Sequence, residues 1–68
     1  MEMVNNKLIE ELRIQHGYNQ EQLAIKMGYG NKSTYNSKIK GSRPFTVEDI
    51  VKLCTIFQLK PNDLIVID

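Results

Sequence analysis

Apolar residues recur at helical spacing in short blocks, and each block is closed by a residue that turns the chain. The first runs from about Asn6 to His16, with Leu8, Ile9 and Leu12 on one face and Gly17 supplying the left-handed position that ends a helix. The second is shorter. Asn19 is placed to cap it, Gln22 stands where a capping box reaches back, Leu23, Ala24 and Met27 form the inward stripe, and Gly28 stops it. Tyr29, Gly30 and Asn31 then interrupt the pattern, and Asn31 can cap a third helix from Lys32 to about Lys40. Gly41-Ser42-Arg43-Pro44 is a turn by composition, and Pro44 disfavours helical geometry at Arg43. Thr46 and Asp49 make a second capping-box pattern, opening a fourth helix from about Val47 to Phe57 with Ile50, Leu53, Cys54 and Phe57 inward and Phe45 as its hydrophobic staple.

The ending carries two readings. Pro61, Asn62 and Asp63 suit the first turn of a fifth helix that takes Leu64 and Ile65 into the core. The β-branched run from Leu64 to Ile67 also reads as a strand. As a helix it seals the monomer, and as a strand it could pair with a second copy across a two-fold axis. The pattern therefore predicts an all-α fold: a compact domain of four to five helices, with a short C-terminal extended segment as the alternative ending. One domain is expected over residues 1–68 with its core at about 6–65, and there is no internal repeat or low-complexity run.

On the third helix, Tyr35 and Ile39 lie four apart and face the core together, which turns Lys32, Ser33, Asn36, Ser37 and Lys40 toward solvent. That face consists of donors and acceptors on mostly short side chains, a composition that fits against base edges in a DNA major groove. The charge distribution agrees with it. The formal net charge is only +1, but the segment from Lys26 to Arg43 holds Lys26, Lys32, Lys38, Lys40 and Arg43 with no acidic residue, and all eight acidic residues lie elsewhere. A local basic patch can neutralise phosphates on a nearly neutral protein.

Other chemistries find little support. With 68 residues the chain buries only about 60% of its unfolded surface, which argues against a large enclosed active site. The single cysteine, Cys54, rules out an intramolecular disulfide, and on the apolar stripe it reads as a small buried hydrophobe. His16 reads as a helix-end residue, and Glu10 and Glu11, close to Arg13, as a solvated face. No paired carboxylates, metal-ligand cluster, phosphate-cradling glycine loop or nucleophile–base pattern is visible, so no catalytic, cofactor or metal site is expected. The charge would also suit RNA, but Tyr35 and Phe57 lie on apolar stripes and give little support for a base-stacking platform. The N-terminus lacks the order of a signal peptide, and no apolar run approaches the ~20 residues that span a bilayer. A soluble cytoplasmic protein without a membrane partner is expected.

The residues Leu12-Arg13, Gly17-Tyr18-Asn19-Gln20-Glu21-Gln22-Leu23-Ala24, Lys26-Met27-Gly28, Thr34-Tyr35 and Ile39-Lys40-Gly41 resemble the phage Cro/repressor-type (XRE-like) helix-turn-helix family, with its lambda-repressor-like domain, over about residues 6–65. The passage from Pro44 into Phe45-Thr46 and an Ile-rich fourth helix is also similar to small Gram-positive phage and mobile-element regulators. The resemblance implies that Gln20 binds a phosphate and braces the recognition helix. It further implies that Lys32, Ser33 and Ser37 read bases, that Thr34 lies close to the DNA backbone, and that Gly41, Ser42 and Arg43 approach phosphates. Asn36 joins the base-reading set from its place on the polar face, and Lys38 and Lys40 join the phosphate set from the basic segment. One departure stands out: this chain has one residue more between Gly28 and Gly41 than the family commonly has, which displaces the start of the recognition helix if it lies among Tyr29, Gly30 and Asn31.

The expected function is sequence-specific binding of double-stranded DNA to regulate transcription, as a small phage or mobile-element Cro-like protein with no sensory extension. One copy reads few base pairs, so a homodimer on a pseudo-palindrome is expected, joined through Leu64, Ile65, Val66 and Ile67. The alternative is a protein-interaction module of antitoxin or anti-repressor type, with the same C-terminal residues as an exposed apolar patch.

Overall fold

The computed structural model describes residues 2–67, with side chains described over 4–65. In chain order the elements are β1 (Glu2–Val4), α1 (Asn6–Gln15), α2 (Gln20–Lys26), α3 (Lys32–Ile39), α4 (Val47–Phe57), α5 (Pro61–Leu64) and β2 (Ile65–Ile67). The helix starts are set by side chains that accept the otherwise orphaned first-turn N–H groups. Asn19 Oδ1 accepts from Gln22 N at 2.7 Å while Gln22 Oε1 accepts from Asn19 N at 2.8 Å, which completes the expected capping box. Asn31 Oδ1 accepts from Thr34 N at 3.2 Å, so α3 begins at Lys32 as expected. Thr46 and Asp49 exchange the corresponding bonds at the head of α4, at 3.2 and 2.8 Å. Asn5 caps α1 by accepting from Leu8 N at 3.1 Å.

A single core holds Ile9, Leu23, Ala24, Met27, Tyr35, Leu53, Cys54, Phe57 and Leu64, with Leu8, Leu12, Ile39 and Ile50 half-buried against it. Each large apolar side chain so placed contributes roughly 1.5–3 kcal/mol by leaving water. Ala24 is fully buried, as a small residue at a close helix approach must be. Gly28 turns the chain out of α2 at φ +83°, and a Cβ there would stand 3.4 Å from the Lys52 ammonium. That ammonium in turn caps α2 by donating to Met27 O at 3.0 Å, which ties α4 to the end of α2.

The two readings of the chain ending are each partly realised. Leu64 closes α5 and is fully buried, whereas Ile65–Ile67 is a strand, so Ile65 does not continue the helix. The strand pairs antiparallel with β1, in the register Glu2↔Ile67, Met3↔Val66 and Val4↔Ile65, so its partner is the chain's own N-terminal segment. Asn5 N donates to Leu64 O at 2.6 Å and sets that register. The helical fold thus carries a two-stranded ribbon joining its ends. Leu64 is committed to the monomer core, as the helix reading has it, rather than free for the expected subunit interface; the side chains of Val66 and Ile67 lie outside the described ones.

Candidate nucleic-acid interface

The outer side of α3 owes its polarity to what its inner side packs. Tyr35 is fully buried and Ile39 half-buried, which leaves Ser33, Asn36 and Ser37 on the outer side of the helix. Lys32 and Ser33 are exposed, and Thr34, Asn36 and Ser37 are half-exposed. Four of these, Lys32, Ser33, Asn36 and Ser37, line one open depression of about 290 Å³ together with Gln20 from the start of α2. Asn36 Nδ2 donates to Gln20 Oε1 at 3.3 Å, which fixes the amide of Asn36 and leaves its carbonyl oxygen as the free acceptor. Thr34 is drawn toward the head of the helix, its hydroxyl 3.4 Å from the Asn31 cap.

Past the end of α3, Lys40, Gly41, Ser42 and Arg43 are all exposed. Gly41 makes the turn at φ +90°, and the backbone N–H groups of Ser42 and Arg43 both donate to Ser37 O, at 2.9 and 3.2 Å. Their side chains are thereby left outside the turn, where a phosphate could be met.

Lys38 departs from expectation. Its ammonium is bonded to the Asp49 carboxylate and stands 4.8 Å from the centre of the Tyr29 ring, and its side chain is only 11% exposed. Its charge is compensated inside the domain, so its ammonium is not presented to solvent as the expected phosphate-binding role requires. The basic segment is correspondingly weaker in space than along the chain, because one of its five charges is spent internally. Lys26, Lys32, Lys40 and Arg43 remain exposed.

A second departure concerns Glu10, expected on a solvated face. It is half-buried: Oε2 accepts from Arg13 at 2.7 and 3.2 Å, and Oε1 accepts from the Tyr35 hydroxyl at 2.9 Å. Burial alone would raise its pKa, but the bonds from Arg13 and Tyr35 more than offset this and hold the carboxyl below its ordinary value. Arg13 also donates to Tyr18 O at 2.7 Å. Glu10 therefore braces the buried side of α3 from α1. Nothing in the one-dimensional pattern signals that bond, because Glu10 and Tyr35 are far apart in sequence.

The remaining reactive side chains have structural surroundings. Cys54 is buried, and burial followed by the charge of Asp63 pushes its thiol upward, away from the reactive thiolate. His16 ends α1 and packs on Phe57 with ring centres 4.9 Å apart. Among the described residues, no group of three or more His, Cys, Asp or Glu side chains could hold a metal ion, and no helix is long and apolar enough to cross a membrane.

A family model described as helix-turn-helix matches residues 9–64, from within α1 to the end of α5. No curated protein and no solved structure matches the chain.

Proposed function

Because the chain belongs to the XRE-type helix-turn-helix family, whose members are DNA-binding regulators of transcription, we propose that it reads one duplex site by laying α3 in the major groove. The observation that carries this reading is the one depression shared by Gln20, Lys32, Ser33, Asn36 and Ser37, open to solvent on a helix whose Tyr35 is buried in the core. Lys32, Ser33, Asn36 and Ser37 face the base edges. Gln20, Thr34, Lys40, Gly41, Ser42 and Arg43 meet the sugar–phosphate backbone, which positions the domain without specifying sequence. The protein acts as a small Cro/repressor-like regulator of phage or mobile-element type, two copies binding a pseudo-palindrome. With Leu64 inside the core, the second copy would meet the ribbon of β1 and β2 around Ile65 rather than a free C-terminal tail. The antitoxin-like alternative loses support for the same reason, since Leu64 contributes nothing to an exposed patch.

Selection from randomised duplexes at stated ionic strength tests the proposal. It should return one preferred sequence in two related half-sites, about 34–36 Å apart or a multiple of that spacing. Lys32→Ala should shift the preferred sequence, because a good base contact carries roughly 1–3 kcal/mol of discrimination. Arg43→Ala should weaken all duplexes alike and reduce the slope of log K against log salt by about 1. Retention with no sequence preference at any salt concentration would sink specific recognition. Sedimentation showing one copy per site on the selected DNA would remove the dimer.

A further inference from the structure

The last turn of α3 is held from three sides. From α1, Asn6 Nδ2 donates to Ile39 O at 3.2 Å and to Lys38 O at 3.4 Å. From the following loop, the N–H groups of Ser42 and Arg43 close on Ser37 O. From α4, Asp49 takes the Lys38 ammonium, and Asp49 is itself only 5% exposed. The oxygen that accepts from Lys38, Oδ2, also accepts from Thr46 N at 2.8 Å in the capping box of α4. One carboxylate oxygen therefore joins the end of α3 to the beginning of α4. The only chain between those two points is the loop that carries Ser42 and Arg43.

We propose that Lys38 and Asp49 are positioning residues for DNA binding, a latch that fixes the two ends of the loop from Lys40 to Thr46 and so sets where Ser42 and Arg43 meet the phosphates. The proposal rests on the reading of α3 as the recognition helix. The geometry separates it from two simpler roles. A phosphate-contacting lysine would present its ammonium to solvent, whereas this one is enclosed by Asp49 and the Tyr29 ring. A pair serving general stability could sit anywhere in the core, whereas this one spans the loop's two anchor points. Tyr29 adds to the enclosure: its hydroxyl is buried beside Asp49 without a hydrogen bond of normal geometry among the described residues, and burial, then the carboxylate, holds the phenol well above its ordinary pKa. The phenol is neutral, so the latch consists of one cation and one anion.

The roles predict opposite results for Asp49→Asn, which keeps a side-chain oxygen for the Thr46 cap but removes the charge that holds Lys38. As a latch, its loss frees the loop and weakens binding to the selected duplex by about tenfold, the equivalent of one hydrogen bond to a charged group. If Lys38 were a phosphate contact held back by Asp49, the same change would tighten binding and steepen the salt dependence. Lys38→Met supplies the second arm: as a latch variant it also loses about tenfold, because the freed loop must be ordered on the DNA, but Ser42 and Arg43 still reach the phosphates in the complex and the wild-type salt slope is kept, in contrast to the drop of about 1 for a lost phosphate contact. Binding would be titrated at several salt concentrations, at a temperature where circular dichroism shows each variant folded. Weaker binding by both variants at an unchanged slope supports the latch. Tighter binding by Asp49→Asn, a lowered slope for Lys38→Met, or unchanged affinity in either variant overturns it. If Lys38→Met does not fold, Asp49→Asn alone decides by the sign of its effect. Failure of the wild-type protein on every duplex would instead bring down the recognition-helix reading, and the latch with it.

Discussion

Tyr35 joins the core to the polar network in one side chain. Its ring is fully buried, and its hydroxyl donates to Glu10, whose other oxygen is held by Arg13. Burial, and after it the neighbouring carboxylate, keep the phenol above its ordinary pKa, so it remains a donor throughout the neutral range. Tyr35→Phe keeps the ring packing and removes only the bond. The expected cost is about 1.5 kcal/mol, the low end for a hydrogen bond to a charged group because Glu10 is partly exposed. Urea denaturation should show a lower midpoint with an unchanged m-value, and a midpoint equal to wild type would mean that Glu10 does not brace α3. The inward placement of Tyr35 is legible in its four-residue spacing from Ile39. Its partner is not, and neither is the pairing of Lys38 with Asp49. Periodicity gives the direction of a side chain relative to its own helix but not what waits there from another.

At the scale of the elements, helices are most legible where a polar cap precedes an apolar stripe. Asn19, Asn31 and Thr46 each mark a start that the backbone bonds reproduce. The end of α4 is different, because its left-handed terminal position is occupied by Gln58, at φ +57°, rather than by glycine. Only the last apolar residue, Phe57, marks that boundary in the sequence. A side chain in this conformation costs about 1–2 kcal/mol, partly offset because glycine would loosen the unfolded chain by about 0.4–1 kcal/mol. Gln58→Gly should therefore stabilise the domain by about 0.5–1 kcal/mol, read as a higher urea midpoint. A lower midpoint would show that Gln58 makes a contribution beyond ending the helix. Of the two strands, β2 is legible only in its β-branched run and β1 not at all. Each has three residues, too few for an alternating pattern, and the partner of each lies at the opposite end of the chain.

Over the whole molecule, α3 is gripped by two carboxylates from different helices, Glu10 on α1 at its buried side and Asp49 on α4 at its last turn. Burial raises the pKa of both. For Glu10, the bonds from Arg13 and Tyr35 overcome it; for Asp49, those from Lys38 and Thr46 do, and both carboxyls end below their ordinary values. A carboxylate whose pKa is lower folded than unfolded stabilises the fold fully above its unfolded value, about 4.3 for Glu and 3.9 for Asp, and the contribution disappears as pH falls through the folded value. The urea midpoint should therefore be level with respect to these two groups from about pH 7 to 5 and fall below about pH 4.5. Glu10→Gln combined with Asp49→Asn should start from a lower midpoint and lose less of it over the same acid range, since neither position can then release a proton-sensitive bond. The same net loss between about pH 5 and 3 in the wild type and the double variant would place the acid sensitivity elsewhere. A smaller loss in the variant would tie the acid stability of the packing around α3 to the charge state of Glu10 and Asp49.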